Sequence, residues 1–329
     1  MPDPRPHRLK TAIGVVASLL IAGLATWVLY RTFQRIEPAD VLRKMTEVPR
    51  AKLLLAAACA LGGFLTIALY EGVVVRHVKR PLGVGKPALT ALIAYPIGHA
   101  LGQMLLSASA LRYRMYTPAG FTAVEIGATV LMCALPYALA FGLLVDLALV
   151  LTPDRLSVAF GVQARWLFAL GFVGLAKDIG YAVLVARRKA PIRLGGWAVN
   201  LPSPAMTALQ LVVGLIDIGL ISSILYLLLP ASADIAFLPF VAVYLASLLA
   251  GSLSHVPAGI GVLESMLLLL LPQVPPAELL AAVLLYRVIY EVIPLVVALV
   301  LWGAFELVAD DGMRVRMLRP PPGRRSPSA

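Results

Sequence analysis

Two cysteines, four histidines and a charged fraction of 14% in 329 residues leave few routes to chemistry. Cys59 and Cys133 both lie inside apolar runs, where a thiol behaves as a small hydrophobe. Neither a disulfide framework nor metal-ligand spacing follows from them. No Gly-x-Ser-x-Gly elbow, His-Glu-x-x-His pair or Walker loop occurs, so the usual marks of hydrolases and nucleotide enzymes are missing. The expectation is a protein without catalytic residues, cofactor or metal. Acidic residues are scarce too, 17 against 28 basic, for a net charge of +11. That excess sits at segment ends and in the tails, which suits an anionic lipid surface or ordinary positive flanks of membrane helices. A nucleic-acid partner would need a soluble basic face interleaved with aromatics, and none is present.

What is abundant is apolar: 60% of residues, with a mean hydropathy of +0.89. Soluble domains hold about 45–50% apolar and about 25% charged residues. The fold class expected is all-α, a polytopic helical membrane protein. A basic N-terminus (1–10) precedes an apolar run from Thr11 to Tyr30, long enough to span and followed by no small-x-small cleavage site. Residues 31–52 read as an interfacial amphipathic helix. Further apolar runs fill 53–75, 88–109, 122–151, 165–186, 206–229, 235–253, 262–271 and 278–303. The run 122–151 contains Pro136 and is too long for one straight span, whereas 262–271 is too short to cross. The count is therefore about seven to nine spans with short or re-entrant helices. A basic, disordered tail is expected over 306–329.

Ser254-His255-Val256-Pro257-Ala258-Gly259-Ile260-Gly261-Val262-Leu263-Glu264 breaks the apolar pattern at membrane depth. Irregular backbone is tolerated there only against protein or a water-filled cavity. Pro257 suits the first turn of a short helix over about 258–271, whose N-terminus would receive a lipid phosphate while Glu264 engages an amine or a proton. The alternative is a helix-packing corner in which Gly259 and Gly261 only make room. Pro118-Ala119-Gly120-Phe121-Thr122-Ala123-Val124-Glu125 matches this stretch in its proline, alanine, glycine and glutamate, 139 residues earlier. An internal repeat and a chance match in a small-residue-rich chain both remain open at this point.

Ionisable groups within apolar runs are costly, so each needs a partner or a wet cavity. Lys177, Asp178, Asp217, Arg287 and Glu291 form a candidate polar interior. Arg287 and Glu291, four apart, can touch on one helix face. Lys177 and Asp178 point about 100° apart, so a partner on another helix is expected, with Asp217 a candidate for Lys177 or Arg287. In Leu111-Arg112-Tyr113-Arg114-Met115-Tyr116, the two guanidinium forks suit phosphate oxygens, and Tyr113 and Tyr116 suit an interface. The segment is either a head-group clamp or a positive flank.

Three of these stretches carry a resemblance: Leu111 to Tyr116, His255 to Glu264, and Tyr286-Arg287-Val288-Ile289-Tyr290-Glu291-Val292-Ile293-Pro294. In order and spacing the chain resembles the lysylphosphatidylglycerol synthase transmembrane-region family over residues 10–305. The resemblance implies a lipid-flippase-like domain over 11–305 in the bacterial inner membrane, and the arginine cluster from Arg314 to Arg325 makes a cytoplasmic C-terminus the expectation. It implies as partners a membrane phospholipid and a separately encoded lipid-synthesis enzyme. The substrate-binding residues expected are Arg112, Tyr113, Arg114, Tyr116, Ser254, His255, Pro257, Gly259, Gly261 and Glu264. The function expected is translocation, or assistance in translocation, of an anionic or modified phospholipid. Its rivals are a membrane-embedded lipid-modifying enzyme and a non-transporting partner of a lipid-synthesis complex.

Overall fold

The computed structural model describes residues 37–78, 82–101, 104–187, 192–194, 197–199, 202–254 and 256–318. The expected first span (11–30), the basic N-terminus, His255 and residues 319–329 lie outside the described residues.

The helices run in chain order. The first four are α1 (Pro38–Glu47), α2 (Arg50–Val78), α3 (Gly85–Ala100) and α4 (Met104–Tyr116). A 3-10 turn (Thr117–Ala119) leads into α5 (Ala123–Leu151), α6 (Pro153–Phe160) and α7 (Ala164–Arg187). A small antiparallel hairpin follows, β1 (Ile192–Leu194) on β2 (Trp197–Val199), with Arg193 opposite Ala198. Then come α8 (Pro204–Leu228), α9 (Phe237–Leu253), a 3-10 turn (Pro257–Gly259), α10 (Val262–Leu270) and α11 (Pro276–Arg287). A π turn (Val288–Val292) joins α11 to α12 (Ile293–Leu318).

Among the described residues, five helices are long and apolar enough to cross a membrane: α2, α5, α7, α8, and the continuous stretch Pro276–Leu307 through α11, the π turn and α12. Shorter apolar helices fill between them. The chain is an all-α polytopic membrane protein carrying one short hairpin. Two details depart from the sequence reading: the run 88–109 is divided between α3 and α4, and α12 continues to Leu318, past the expected boundary at 305. The long run 122–151, which could tilt, kink or split, is a single helix.

Two tyrosine hydroxyls help α5 stay whole across Pro136. A proline removes the N–H that would bond the carbonyl four residues back. Here the Tyr70 hydroxyl donates to Met132 O at 3.1 Å, and the Tyr95 hydroxyl donates to Cys133 O at 3.4 Å. Two phenols from α2 and α3 thus satisfy carbonyls beside the break, and a buried unsatisfied carbonyl is avoided.

Helix α8 is the inner one. Of its apolar window 44% is buried, against 11% for α7 and 6% for the last long helix, so those two present apolar surface outward. It packs on α2 and α5, and more lightly on α7, α9 and α11. Against α5 the approach is backbone to backbone: a Cβ on Gly214 would fall on the Pro136 carbonyl. The main core joins α8, α9, α10 and α11 through Ile218, Ile224, Phe240, Tyr244, Leu267 and Tyr286. Helix α1 docks on α11, with Val41 against Leu280 and Ala281 and Lys44 Nζ 3.1 Å from Glu278. Hydrogen bonds to Glu47 and Glu278 hold the Lys44 ammonium above its usual pKa.

Candidate functional site

The loop between α9 and α10 is held in an unusual backbone path. Ala258, Gly259 and Gly261 all have positive φ, at 52°, 59° and 83°. For glycine this is free of steric cost, but for Ala258 the Cβ crowds the following carbonyl. A Cβ at Gly259 would come within 3.3 Å of the Gly251 Cα, so the loop and the end of α9 touch through bare backbone. Ser254 is buried and closes α9, donating from Oγ to Gly251 O at 2.6 Å and accepting from Val256 N at 3.2 Å.

Arg287 binds this loop down. Its Nε donates to Glu264 Oε1 at 2.5 Å and its Nη2 to Glu264 Oε2 at 3.1 Å. Nη1 donates to Ala258 O at 3.1 Å and Glu291 Oε2 at 2.7 Å, and Nη2 also reaches Gly259 O at 3.4 Å. A guanidinium has five N–H donors, and all five are used. Glu264 meanwhile accepts from Gly261 N at 2.8 Å, at the start of α10. An internal carboxylate stands where a phosphate was expected. The α10 N-terminus is already capped by its own Glu264, and that carboxylate is engaged by Arg287 rather than offered to a ligand.

The earlier stretch has the same local geometry. Thr117–Ala119 form a 3-10 turn, Gly120 has φ 81°, and Thr122 N donates to Glu125 Oε2 at 2.7 Å at the start of α5. The positive-φ glycine and the capping glutamate recur 139 residues later, at Gly259 and Glu264, and the turn recurs 140 residues later. Pro275, at the gap between α10 and α11, likewise stands 139 residues after Pro136 of α5.

At the expected clamp each arginine meets a glutamate. Arg112 is buried, and its fork is filled by the fully buried Glu71, Nε to Oε1 at 2.8 Å and Nη2 to Oε2 at 2.6 Å. Tyr116 OH donates to the same carboxylate at 2.9 Å, and the Arg112 guanidinium lies 5.1 Å from the Tyr95 ring centre. Arg114 instead faces Glu306 of α12, Nη2 to Oε2 at 2.7 Å, and Tyr113 is exposed. The two arginines serve different helices because residues two apart diverge on a helix.

The polar interior divides similarly. Lys177 meets Asp146 at 3.2 Å and also its neighbour Asp178 at 3.1 Å, since the long lysine stem bends across the angle between adjacent positions. Asp217 partners neither Lys177 nor Arg287, and its Oδ1 is buried without a hydrogen bond.

What the fold does bring together is a cavity of about 290 Å³. Phe64 and Ile67 of α2 line it, with Tyr95, Pro96 and His99 of α3, the loop residues Ala258 and Ile260, Tyr290 and Glu291 of the π turn, and Leu295 of α12. His99 Nε2 stands 3.8 Å from Glu291 Oε1. π turns occur frequently at functional sites, and this one aims Tyr290 and Glu291 at the cavity. Of the expected substrate-binding residues whose side chains are described, none lines it. Tyr95 of the lining, and Glu71 as the partner of Arg112, were not anticipated from the sequence, whereas His99 stood out as a polar group inside an apolar run. Pro96 inside an apolar run, and a glutamate near the end of another, were the available signals.

No family model matches the chain. A Synechocystis protein, the uncharacterized protein slr0712, is 30% identical over 270 residues, covering 82% of this chain and 84% of that protein. The chain belongs to the same family. Within reach of the family are the inner membrane protein YbhN of Escherichia coli and the phosphatidylglycerol lysyltransferase of Staphylococcus aureus. The first is 26% identical over 296 residues, 87% of this chain and 89% of that protein. The second is 25% identical over 293 residues, which make up 84% of this chain but 32% of the lysyltransferase. A membrane location agrees with the five long apolar helices and with the name of the Escherichia coli relative.

Proposed function

We propose that the protein translocates, or helps translocate, a phospholipid between the leaflets of the inner membrane, with no catalytic residues of its own. The observation that carries this reading is the mixed character of the cavity. Phe64, Ile67, Pro96 and Leu295 offer apolar wall, while His99, Glu291 and the loop at Ala258 offer polar wall, level with the middle of α2. An amphiphile's head group and the start of its chains match such a surface.

The charges around the cavity favour the modified, amine-bearing class of lipid over a plain anionic one. Glu264 and Glu291 both contact Arg287, so two carboxylates share one guanidinium and a formal negative charge is left over. Arg112 and Arg114, the groups that would have drawn a phosphate, are each engaged by a glutamate. The similarity to a protein named for joining a lysyl group to phosphatidylglycerol supports a lipid that carries an amine.

The test is leaflet exchange in sealed proteoliposomes, with labelled phosphatidylglycerol, phosphatidylethanolamine and lysyl-phosphatidylglycerol compared. Faster exchange of the two amine-bearing lipids is expected. A changed head-group mass would instead favour the lipid-modifying enzyme, and exchange that appears only with an added lipid-synthesis enzyme would favour the partner role. No exchange under any of these conditions sinks the reading.

A further inference from the structure

A second cavity, of about 430 Å³, lies at the end of the bundle where α2 and α7 begin and α5 and α8 finish. Arg155 of α6, Tyr226 of α8 and residues of the connection 229–236 line it. The first cavity is level with the middle of α2, whereas this one is level with its first turn, where Lys52 Nζ donates to Leu229 O at 2.9 Å. Other bonds hold the same wall. The Tyr226 hydroxyl donates to Ile235 O at 3.0 Å, Gln273 Nε2 to Ala233 O at 3.3 Å, and Ala233 N to Pro230 O at 3.1 Å. A connection tied at Leu229, Ala233 and Ile235 is a preformed wall, as binding pockets usually have.

Two opposite charges face this space. Arg155 and Asp234 both line the cavity and are exposed, and among the described residues neither takes part in an ion pair, with the other or with a third group. The arginines deeper in the bundle differ, since Arg112 and Arg287 are each held by a glutamate. Asp234 keeps its carboxylate here at a φ of 37°, in the left-handed region that aspartate tolerates better than most residues. The height of the cavity is marked by α7, on which α6 packs. At its start Trp166 is 61% exposed, with the Arg165 guanidinium 5.4 Å from its ring centre. A tryptophan at the end of a spanning helix marks the membrane–water boundary. Exposed Leu151 and Val158 flank Arg155 in the chain, and exposed Phe237 follows Ala236 of the lining, so apolar surface adjoins the polar space.

We propose that this second cavity is a phospholipid head-group site selective for zwitterionic head groups, with Arg155 taking the phosphate and Asp234 the amine. A guanidinium fork matches phosphate oxygens, and a carboxylate accepts from an ammonium through charge-assisted hydrogen bonds. Either residue alone would favour an anion or a cation. The two together, unjoined across one space, select a molecule that carries both charges. Their level at the membrane boundary makes that molecule a lipid, with its chains against the adjoining apolar surface. The inference goes beyond the transport reading and does not need it: a protein that moved no lipid would still hold a head group here.

The test is photo-cross-linking on the purified full chain in maltoside micelles. Phosphatidylethanolamine or phosphatidylglycerol, each with a diazirine at the head-group end of one acyl chain, is added, and labelled peptides are mapped by mass spectrometry. Phosphatidylethanolamine is expected to label residues 153–160 and 226–236 more strongly than phosphatidylglycerol does. Arg155→Gln should lower labelling there by both lipids about tenfold, the size of a lost charge-assisted hydrogen bond. Asp234→Asn should bring phosphatidylethanolamine down to the level of phosphatidylglycerol, which lacks the amine. Both side chains are exposed and asparagine also tolerates positive φ, so both variants should melt as the parent does. Unchanged labelling in either variant overturns the inference, as does equal labelling of the parent by the two lipids. Label spread evenly over the outward-facing helices also overturns it, since that is only the surrounding lipid. Displacement of the label by micromolar free phosphoethanolamine assigns the cavity to a soluble zwitterion and overturns the lipid assignment.

Discussion

Arg287 and Glu264 meet fork to fork across 23 residues of chain, with Nε–Oε1 at 2.5 Å and Nη2–Oε2 at 3.1 Å. Through this contact α11 fixes the loop ahead of α10, and the left-handed backbone at Ala258 and Gly259 is held by carbonyl bonds to the same guanidinium. The cavity wall at Ala258 and Ile260 therefore depends on an ion pair that itself points away from a ligand.

The first prediction concerns that pair. Arg287 holds both Glu264 and Glu291, so losing either glutamate leaves it one carboxylate, and the cost is set by the charge-assisted hydrogen bonds lost, each contributing about 1.5–3 kcal/mol. Glu264→Ala should accordingly lower the melting temperature more than Glu291→Ala, since Glu264 supplies both oxygens to Arg287 and also caps Gly261. Thermal melts followed by size-exclusion chromatography check this, and equal melting of the two glutamate variants would contradict it.

A second prediction separates Arg112 from Arg114. Arg112→Lys keeps charge but loses the planar fork against the buried Glu71, and hydrogen bonds to charged groups contribute about 1.5–3 kcal/mol. Arg114→Lys, on an exposed pair, should change stability by about 1 kcal/mol or less. Similar melting of both variants would mean that burial of Arg112 carries no energetic weight.

Glycines give a third test with an internal control. Gly214→Ala drives a methyl group into the Pro136 carbonyl of α5 and should destabilise by at least about 1–3 kcal/mol, the range for overpacking. Gly219→Ala on the same helix meets nothing within 4 Å and should be neutral or stabilising. Comparing their melts with the parent decides whether α8 and α5 touch through backbone.

Much of this was legible in the sequence, for reasons that particular residues make plain. Long apolar runs announced the membrane helices, and the Pro257 to Glu264 stretch announced a break at depth. The four-residue spacing of Arg287 and Glu291 announced their contact. What the sequence concealed was pairing over distance. Arg112 looked free because Glu71, 41 residues earlier, sits near the end of an apolar run, where a carboxylate reads as a helix flank. The cavity was concealed for the same reason: Phe64, Tyr95 and Tyr290 are ordinary aromatics until three elements meet.

A fourth prediction bears on Ala258. Its φ of 52° costs an L-residue about 1–2 kcal/mol, and glycine adopts it without that penalty. Ala258→Gly should raise the melting temperature slightly or leave it unchanged, with leaflet exchange intact, whereas Gly261→Val at φ 83° should lower it. A clear loss of stability in Ala258→Gly would show that the methyl group, rather than the backbone path, is what the loop needs.

The central claim is that lipid passes by way of the cavity between α2, α3, the 258–260 loop and the π turn. Ile67→Trp would fill that cavity from the α2 wall without touching Arg287, Glu264 or Arg112. The decisive measurement is the rate at which labelled phosphatidylethanolamine changes leaflet in vesicles holding equal amounts of folded parent or Ile67→Trp protein. The cavity reading predicts exchange by the parent and its near-complete loss in Ile67→Trp at unchanged folded yield. Equal rates in the two would contradict it.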